Sequence, residues 1–136
     1  MDEKRFKEIP IFSNLSDEEA HRLAAFATET SISEGHMLMK EGDYSVELIA
    51  IEEGKADVIQ DGKKVATLGK GDLIGEMGLL ERRQRNADVV AATSMRVIKL
   101  THWEIRRMSE DTIERIKEIV EKRRQDGVAD PAYSAE

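Results

Sequence analysis

From Gly35 onward, glycines at positions 35, 42, 54, 62, 69, 71 and 75 cut the chain into short segments rich in Val, Ile and Leu. Segments of this length and texture, bounded by residues that favour turns, read as β-strands. Asp61-Gly62, set between Ala56 to Gln60 and Lys64 to Leu68, is the strongest of these signals because Asp-Gly suits the tight turn of a β-hairpin. Strands repeated at this spacing predict a closed or rolled antiparallel sheet.

The ends of the chain read differently. Ser16 and Glu19 form a capping-box pattern, and Leu23, Phe26 and Ala27 follow at helical spacing, which predicts a helix from Asp17 to Thr28 with Ile9, Phe12 and Leu15 leading into it. After Val97-Ile98-Lys99-Leu100 the pattern turns helical again. Thr101 and Glu104 make a second capping box ahead of Trp103, Ile105 and Met108; Asp111 and Glu114 make a third. Ile113, Ile116, Ile119 and Val120 then line one side of a helix that ends near Gln125, with Gly127 as its stop. The expected fold is mainly β with flanking helices, an α+β arrangement. An N-terminal helical segment (1–34) precedes a jelly-roll-like antiparallel β-roll (35–100), followed by two C-terminal helices (101–126) and a loose tail (127–136).

Length and charge narrow the functions open to such a fold. At 136 residues the chain is expected to form one domain, burying roughly two-thirds of its unfolded surface. The net charge of -7 argues against nonspecific binding to nucleic acid or to an anionic membrane, so any bound anion needs local positive groups. There is no cysteine, which excludes disulfides and thiolate metal sites. Neither a signal peptide nor a membrane span is recognisable, and the expected location is the cytoplasm. His21, His36 and His102 lack metal-ligand spacing and read as ordinary surface residues. Asn14-Leu15-Ser16 matches a glycosylation acceptor by chance, and no nucleophile sits in an elbow or triad pattern. The chain is not expected to be an enzyme.

One stretch, Gly71 to Val90, carries distinctive chemistry. A short helix starting at Gly75 or Glu76 would leave its first amides free to face an anion, and the bare Gly75 and Gly78 would admit a ligand closely. Arg85, on a strand running back past that turn, is suited to a two-pronged phosphate contact. Glu76 repels a phosphate but accepts a hydrogen bond from a hydroxyl, such as that of a ribose. Arg82 and Arg83 read as a solvated loop face.

These residues resemble the phosphate-binding cassette of cyclic-nucleotide-binding domains, the sensor module of catabolite-activator-type regulators, cyclic-nucleotide-dependent kinases and gated channels. The cassette, expected over 74–88, reads Gly75-Glu76-Met77-Gly78-Leu79-Leu80, a spacer, then Gln84-Arg85-Asn86-Ala87. Gly42-Asp43, Gly54 and Gly71-Asp72 also fall where that family places its roll turns. The resemblance runs from Ile9 to Gln125. It implies that Glu76 binds the ribose 2′-hydroxyl, that Arg85 pairs with the cyclic phosphate, and that the amides of Glu76 and Ala87 complete the site. It also implies a C-terminal helix, Thr112 to Gln125, that closes over the base, with Ile113, Ile116 and Val120 as lid candidates. Without the resemblance, that isoleucine stripe reads as core packing.

Three departures stand out. Gln84 replaces the usual proline, removing backbone stiffness but no contacting group; Ile49 replaces a common aromatic, a swap that reads as core packing; and Asn86 replaces the family's frequent Ala, Ser or Thr. Asn86 occupies a position near the base edge; its amide both donates and accepts, so purine choice stays open, with cAMP favoured over cGMP on the family pattern. The expected role is a non-catalytic sensor. It has a cyclic nucleotide as ligand, no cofactor or metal, no nucleic-acid or membrane partner, and a partner protein or second copy through the C-terminal helix. No output element is recognisable, so the module either acts alone, which Met1 and the tail favour, or regulates as part of a longer chain. The alternatives are a degenerate roll serving as an interaction or dimerisation scaffold, and a cupin-like enzyme, which three scattered histidines do not support.

Overall fold

The computed structural model describes residues 3–9, 12, 13, 15–42, 47–74, 87–101, 104, 105 and 110–125. Eight strands are described: β1 (Thr28–Ile32), β2 (Met37–Met39), β3 (Glu47–Glu53), β4 (Ala56–Gln60), β5 (Lys63–Leu68), β6 (Leu73–Ile74), β7 (Asp88–Ala91) and β8 (Met95–Thr101). They form two antiparallel four-stranded sheets, ordered β1-β8-β3-β6 and β2-β7-β4-β5. Among the described residues three helices accompany them: α1 (Glu3–Lys7), α2 (Asp17–Phe26) and α3 (Glu110–Gln125). Glu104 and Ile105 are also helical. The mostly antiparallel β-roll expected from the glycine spacing is therefore present.

Alternation along the first sheet divides the interior into two clusters. Ile49, Ile51, Ile74, Met95 and Val97 face the second sheet, where they meet Ala56, Val58, Leu68, Ala87, Val89 and Ala91. Leu48, Ala50, Leu73, Ile98 and Leu100 point the other way, into a layer built from Phe6, Phe12, Leu23, Ile105 and Ile116. Apolar residues on both faces of β3 and β8 thus place the first sheet in the middle of three layers. Ile49 is 2% exposed and packs between the sheets.

The chain changes sheet at each connection between described strands except β4–β5. That exception is the hairpin predicted from Asp61-Gly62: both residues have positive φ, 53° and 76°, as a type I′ turn requires. A register shift between Val58 and Ile59 adds a bulge to this pair. At the corner between β3 and β4, Gly54 (φ 91°) passes against the backbone of Ser94 and Met95. The Lys55 amide donates to Thr93 Oγ1 (3.0 Å), and the Lys55 carbonyl accepts from the Ala92 amide (2.8 Å). Two chain crossings between the sheets are thereby stacked on each other.

The N-terminal expectation needs correction. The 1–34 segment is not helical throughout, and the predicted helix does not reach Thr28. It ends at Phe26, Ala27 turns extended (φ -72°, ψ 137°), and Thr28–Ile32 becomes an edge strand paired with β8. The β-branched Thr28, Thr30 and Ile32 suit a pleated edge better than another helical turn. The helix start is as predicted, a complete capping box: Ser16 Oγ accepts from the Glu19 amide (3.1 Å), and Glu19 Oε1 accepts from the Ser16 amide (3.1 Å).

At the C-terminal end, Thr101 Oγ1 accepts from the Glu104 amide (3.0 Å), but its hydroxyl meets the Glu104 carboxylate directly (2.9 Å). Asp111 is not a cap, since α3 already begins at Glu110 and carries Asp111 in its first turn, where an acid complements the helix dipole. The expected tail, 127–136, lies outside the described residues, as does His102. His21 lies in α2 and His36 just before β2, and both side chains are exposed. Among the described residues no helix is long and apolar enough to cross a membrane, and no cluster of His, Cys, Asp or Glu is arranged to hold a metal.

Candidate cyclic-nucleotide site

The predicted cassette is described only at its two ends. Gly75, Glu76, Met77, Gly78, Leu79, Arg85 and Asn86 lie outside the described residues, and Ala87 lies within them. Ile74, the last residue of β6, is 0% exposed and Ala87 is 1% exposed; both belong to the cluster between the sheets. The described chain therefore stops at the edge of the first sheet, at Ile74, and resumes at Ala87 beside the second, and both of these residues lie in one core. Pairing of Ile49 with Ile74 and Ala50 with Leu73 fixes the departure point beside the N-terminal half of β3.

A contact that the sequence reading did not single out lies at the return. Asp88, the first residue of β7, accepts a 2.7 Å hydrogen bond from the Glu41 amide on its Oδ1. This ties the turn at Glu41 and Gly42 to the exit of the cassette. The partners are 47 residues apart, and no local pattern marks such a pair.

The lid candidates divide. Ile116 is 1% exposed, buried among Phe6, Leu23, Leu100 and Ile105, so here it is a core residue of the helical layer, as its spacing alone implies. Removing a side chain of this size from water contributes roughly 1.5–3 kcal/mol. Ile113 is half-buried, and the side chain of Val120 lies outside the description.

A charged, open cavity of about 650 Å³ lies at the C-terminal end of β3, away from its pairing with β6, and is lined in part by Arg5, Glu8, Glu52, Lys70 and Arg96. Arg5 Nη2 lies 2.7 and 2.8 Å from the two oxygens of Glu52 and 2.6 Å from Glu29 Oε1, with Arg96 3.7 Å from the same Glu29 oxygen. The Glu52 hydrogen bond, outweighing partial desolvation, raises the Arg5 pKa further above its already high value. This network pins α1 to the first sheet. Its guanidinium is already committed to carboxylates, so it does not replace the predicted Arg85 as a phosphate group.

Comparison with known proteins bears directly on this arrangement. Residues 29–112 match the family model for the cyclic nucleotide-binding domain. The matched region opens in β1 and includes the whole cassette, in agreement with a roll that starts before Gly35. A cAMP-dependent protein kinase regulatory subunit from Yarrowia lipolytica is 33% identical over 114 residues, covering 82% of this chain but only 30% of that protein. The chain thus spans less than a third of the length of that relative. Among solved structures, the N-terminal domain of a transcriptional regulator from Streptomyces coelicolor superposes with a TM-score of 0.75 at 26% identity, covering 90% of this chain and 94% of that one. The regulatory subunit of a cAMP-independent protein kinase A from Trypanosoma brucei gives a TM-score of 0.77 at 28% identity, covering 90% and 44%. With more than half of its length matched by the family model and its roll shared with these structures, the chain belongs to the cyclic nucleotide-binding domain family.

Proposed function

We propose that this chain binds a cyclic nucleotide as a non-catalytic regulatory module, with cAMP favoured over cGMP. The observation that carries the reading is the family match across 29–112, which contains an intact Gly75-Glu76 and Arg85-Asn86-Ala87 pattern. Ile74, which precedes that pattern, and Ala87, its last residue, both lie in the core between the sheets. In this reading the Arg85 guanidinium pairs with the cyclic phosphate through charge-assisted hydrogen bonds, Glu76 accepts from the ribose 2′-hydroxyl, and the amides of Glu76 and Ala87 complete the cradle. Met77, Gly78 and Leu79 shape the wall, and Asn86 sits near the base edge.

Closure of α3 over the base is the proposed output, passed to a partner protein or to a second copy of the chain in the cytoplasm. A ligand moves α3 only by binding its two positions with different affinities. Ile113 and Val120 are the better lid residues, because Ile116 is already committed to the core.

A second reading is favoured by the likeness to a regulatory subunit described as cAMP-independent. In that reading the roll binds no cyclic nucleotide and serves as an interaction scaffold. Calorimetric titration with cAMP and cGMP in parallel separates the two. A saturable heat with either nucleotide, accompanied by a rise in Tm, is expected. No heat and no thermal shift at millimolar concentrations of both nucleotides would refute the sensor and leave the scaffold.

A further inference from the structure

We infer that Glu19 and Arg115 form a latch that holds α3 in its docked position and thereby restrains the regulatory site, an inference that rests on the cyclic-nucleotide reading above. Arg115 Nη1 donates to Glu19 Oε1 at 2.5 Å, joining residues 96 apart in the chain. The Glu19 side chain is 14% exposed and that of Arg115 46%. The same Glu19 oxygen accepts from the Ser16 amide, so one atom both caps α2 and anchors α3. Rotation of Glu19 away from the cap is opposed by the Ser16 amide, which makes the carboxylate a fixed post rather than a swinging surface charge. Ile116, next in sequence to Arg115, is buried against α1, α2 and the first sheet. Charge and apolar contacts therefore converge on one turn of α3.

The consequence has a definite sign. If α3 must leave this position to close on a ligand, the measured affinity is reduced by the fraction of molecules in which it is docked. Weakening the latch then strengthens ligand binding, the opposite of what a damaged binding site does. For an ion pair with one half-exposed partner, the expected tightening is about 1.5- to 5-fold in Kd.

The two roles of Glu19 can be separated. Glu19→Gln keeps an acceptor for the Ser16 amide, since glutamine also serves in a capping box, but removes the charge that faces Arg115. Arg115→Ala removes the other half, and Ser16→Ala removes the hydroxyl part of the cap while leaving the pair. Because the chain has no cysteine, Ala25→Cys and Glu118→Cys, both exposed, allow two nitroxide labels and a direct distance between α2 and α3.

The test combines that distance, measured without nucleotide, with cAMP titration of the full chain. Arg115→Ala and Glu19→Gln are expected to broaden and lengthen the α2–α3 distance distribution and to lower the Kd for cAMP. Ser16→Ala is expected to lower Tm with the distance kept. An unchanged distance in both latch variants overturns the latch, whatever the nucleotide result. A changed distance with equal or weaker cAMP binding overturns its restraint of the site. A parent protein that binds neither nucleotide refutes the ligand reading and the restraint with it, while the distance still decides whether the pair holds the helices.

Discussion

Gly54→Ala is the most direct test of how the two sheets are joined. Gly54 has a φ of 91°, and a Cβ built on it would collide with the Ser94 carbonyl oxygen and lie 2.9 Å from Met95 Cα. Two costs combine. Holding alanine in a left-handed conformation costs about 1–2 kcal/mol, and forcing atoms into a packed site costs a further ~1–3 kcal/mol. The second cost is not relieved by a rotamer change, because two of the obstructing atoms are backbone in the 92–95 crossing. That crossing is itself held by the Ala92-to-Lys55 and Lys55-to-Thr93 hydrogen bonds. Gly62 is the matched control: its φ is 76°, but nothing lies within 4 Å of the position a Cβ would take, so Gly62→Ala carries only the conformational cost. Urea unfolding of both variants gives each ΔΔG from the midpoint and slope. The expected losses are about 2–5 kcal/mol for Gly54→Ala and about 1–2 kcal/mol for Gly62→Ala. Equal losses in the two variants, with unchanged slopes, would refute the claim that the corner is sterically closed.

Arg85→Ala is expected to weaken cyclic-nucleotide binding at least about tenfold, since one charge-assisted hydrogen bond contributes about 1.5–3 kcal/mol; titration showing unchanged affinity would place the phosphate elsewhere. Glu76→Ala should cost less, and Arg83→Ala should be nearly silent at physiological salt. Ile116→Ala is expected to destabilise the fold by about 2–5 kcal/mol, as a truncation inside the helical core does, whereas a purely lid-forming residue would leave the urea midpoint in place. Asp17 has its carboxyl held below the usual range, chiefly by a hydrogen bond from Lys7 (2.7 Å) and then by that ammonium's charge. A depressed carboxylate contributes stability above its unfolded pKa and loses it as pH falls through the folded value. The Tm advantage of the parent over Asp17→Asn should therefore be constant above about pH 5 and fade in more acid solution.

Much of this fold was legible from local chemistry. Asp61-Gly62 specified its hairpin because both turn residues need positive φ, and Ser16 with Glu19 specified the start of α2 because the cap is completed within four residues. The edge strand Thr28–Ile32 was misread because its pairing partner, β8, lies far along the chain and its own pattern is mostly exposed. The cassette proposed here rests on glycines, Glu76 and Arg85 that fall within one short run of the sequence, 75–86, which lies outside the described residues.

By itself, then, the sequence determined the Asp61-Gly62 turn, the start of α2 and the chemical character of the 75–87 segment, all properties of neighbouring residues. Only the tertiary structure decided which strands share a sheet, since the chain changes sheet at nearly every described connection and each such pairing joins distant residues. It also decided that Asp88 bonds the Glu41 turn, that Arg115 meets Glu19, and that Ile116 enters the helical layer. Those contacts depend on three-dimensional proximity, which no periodicity along the chain encodes.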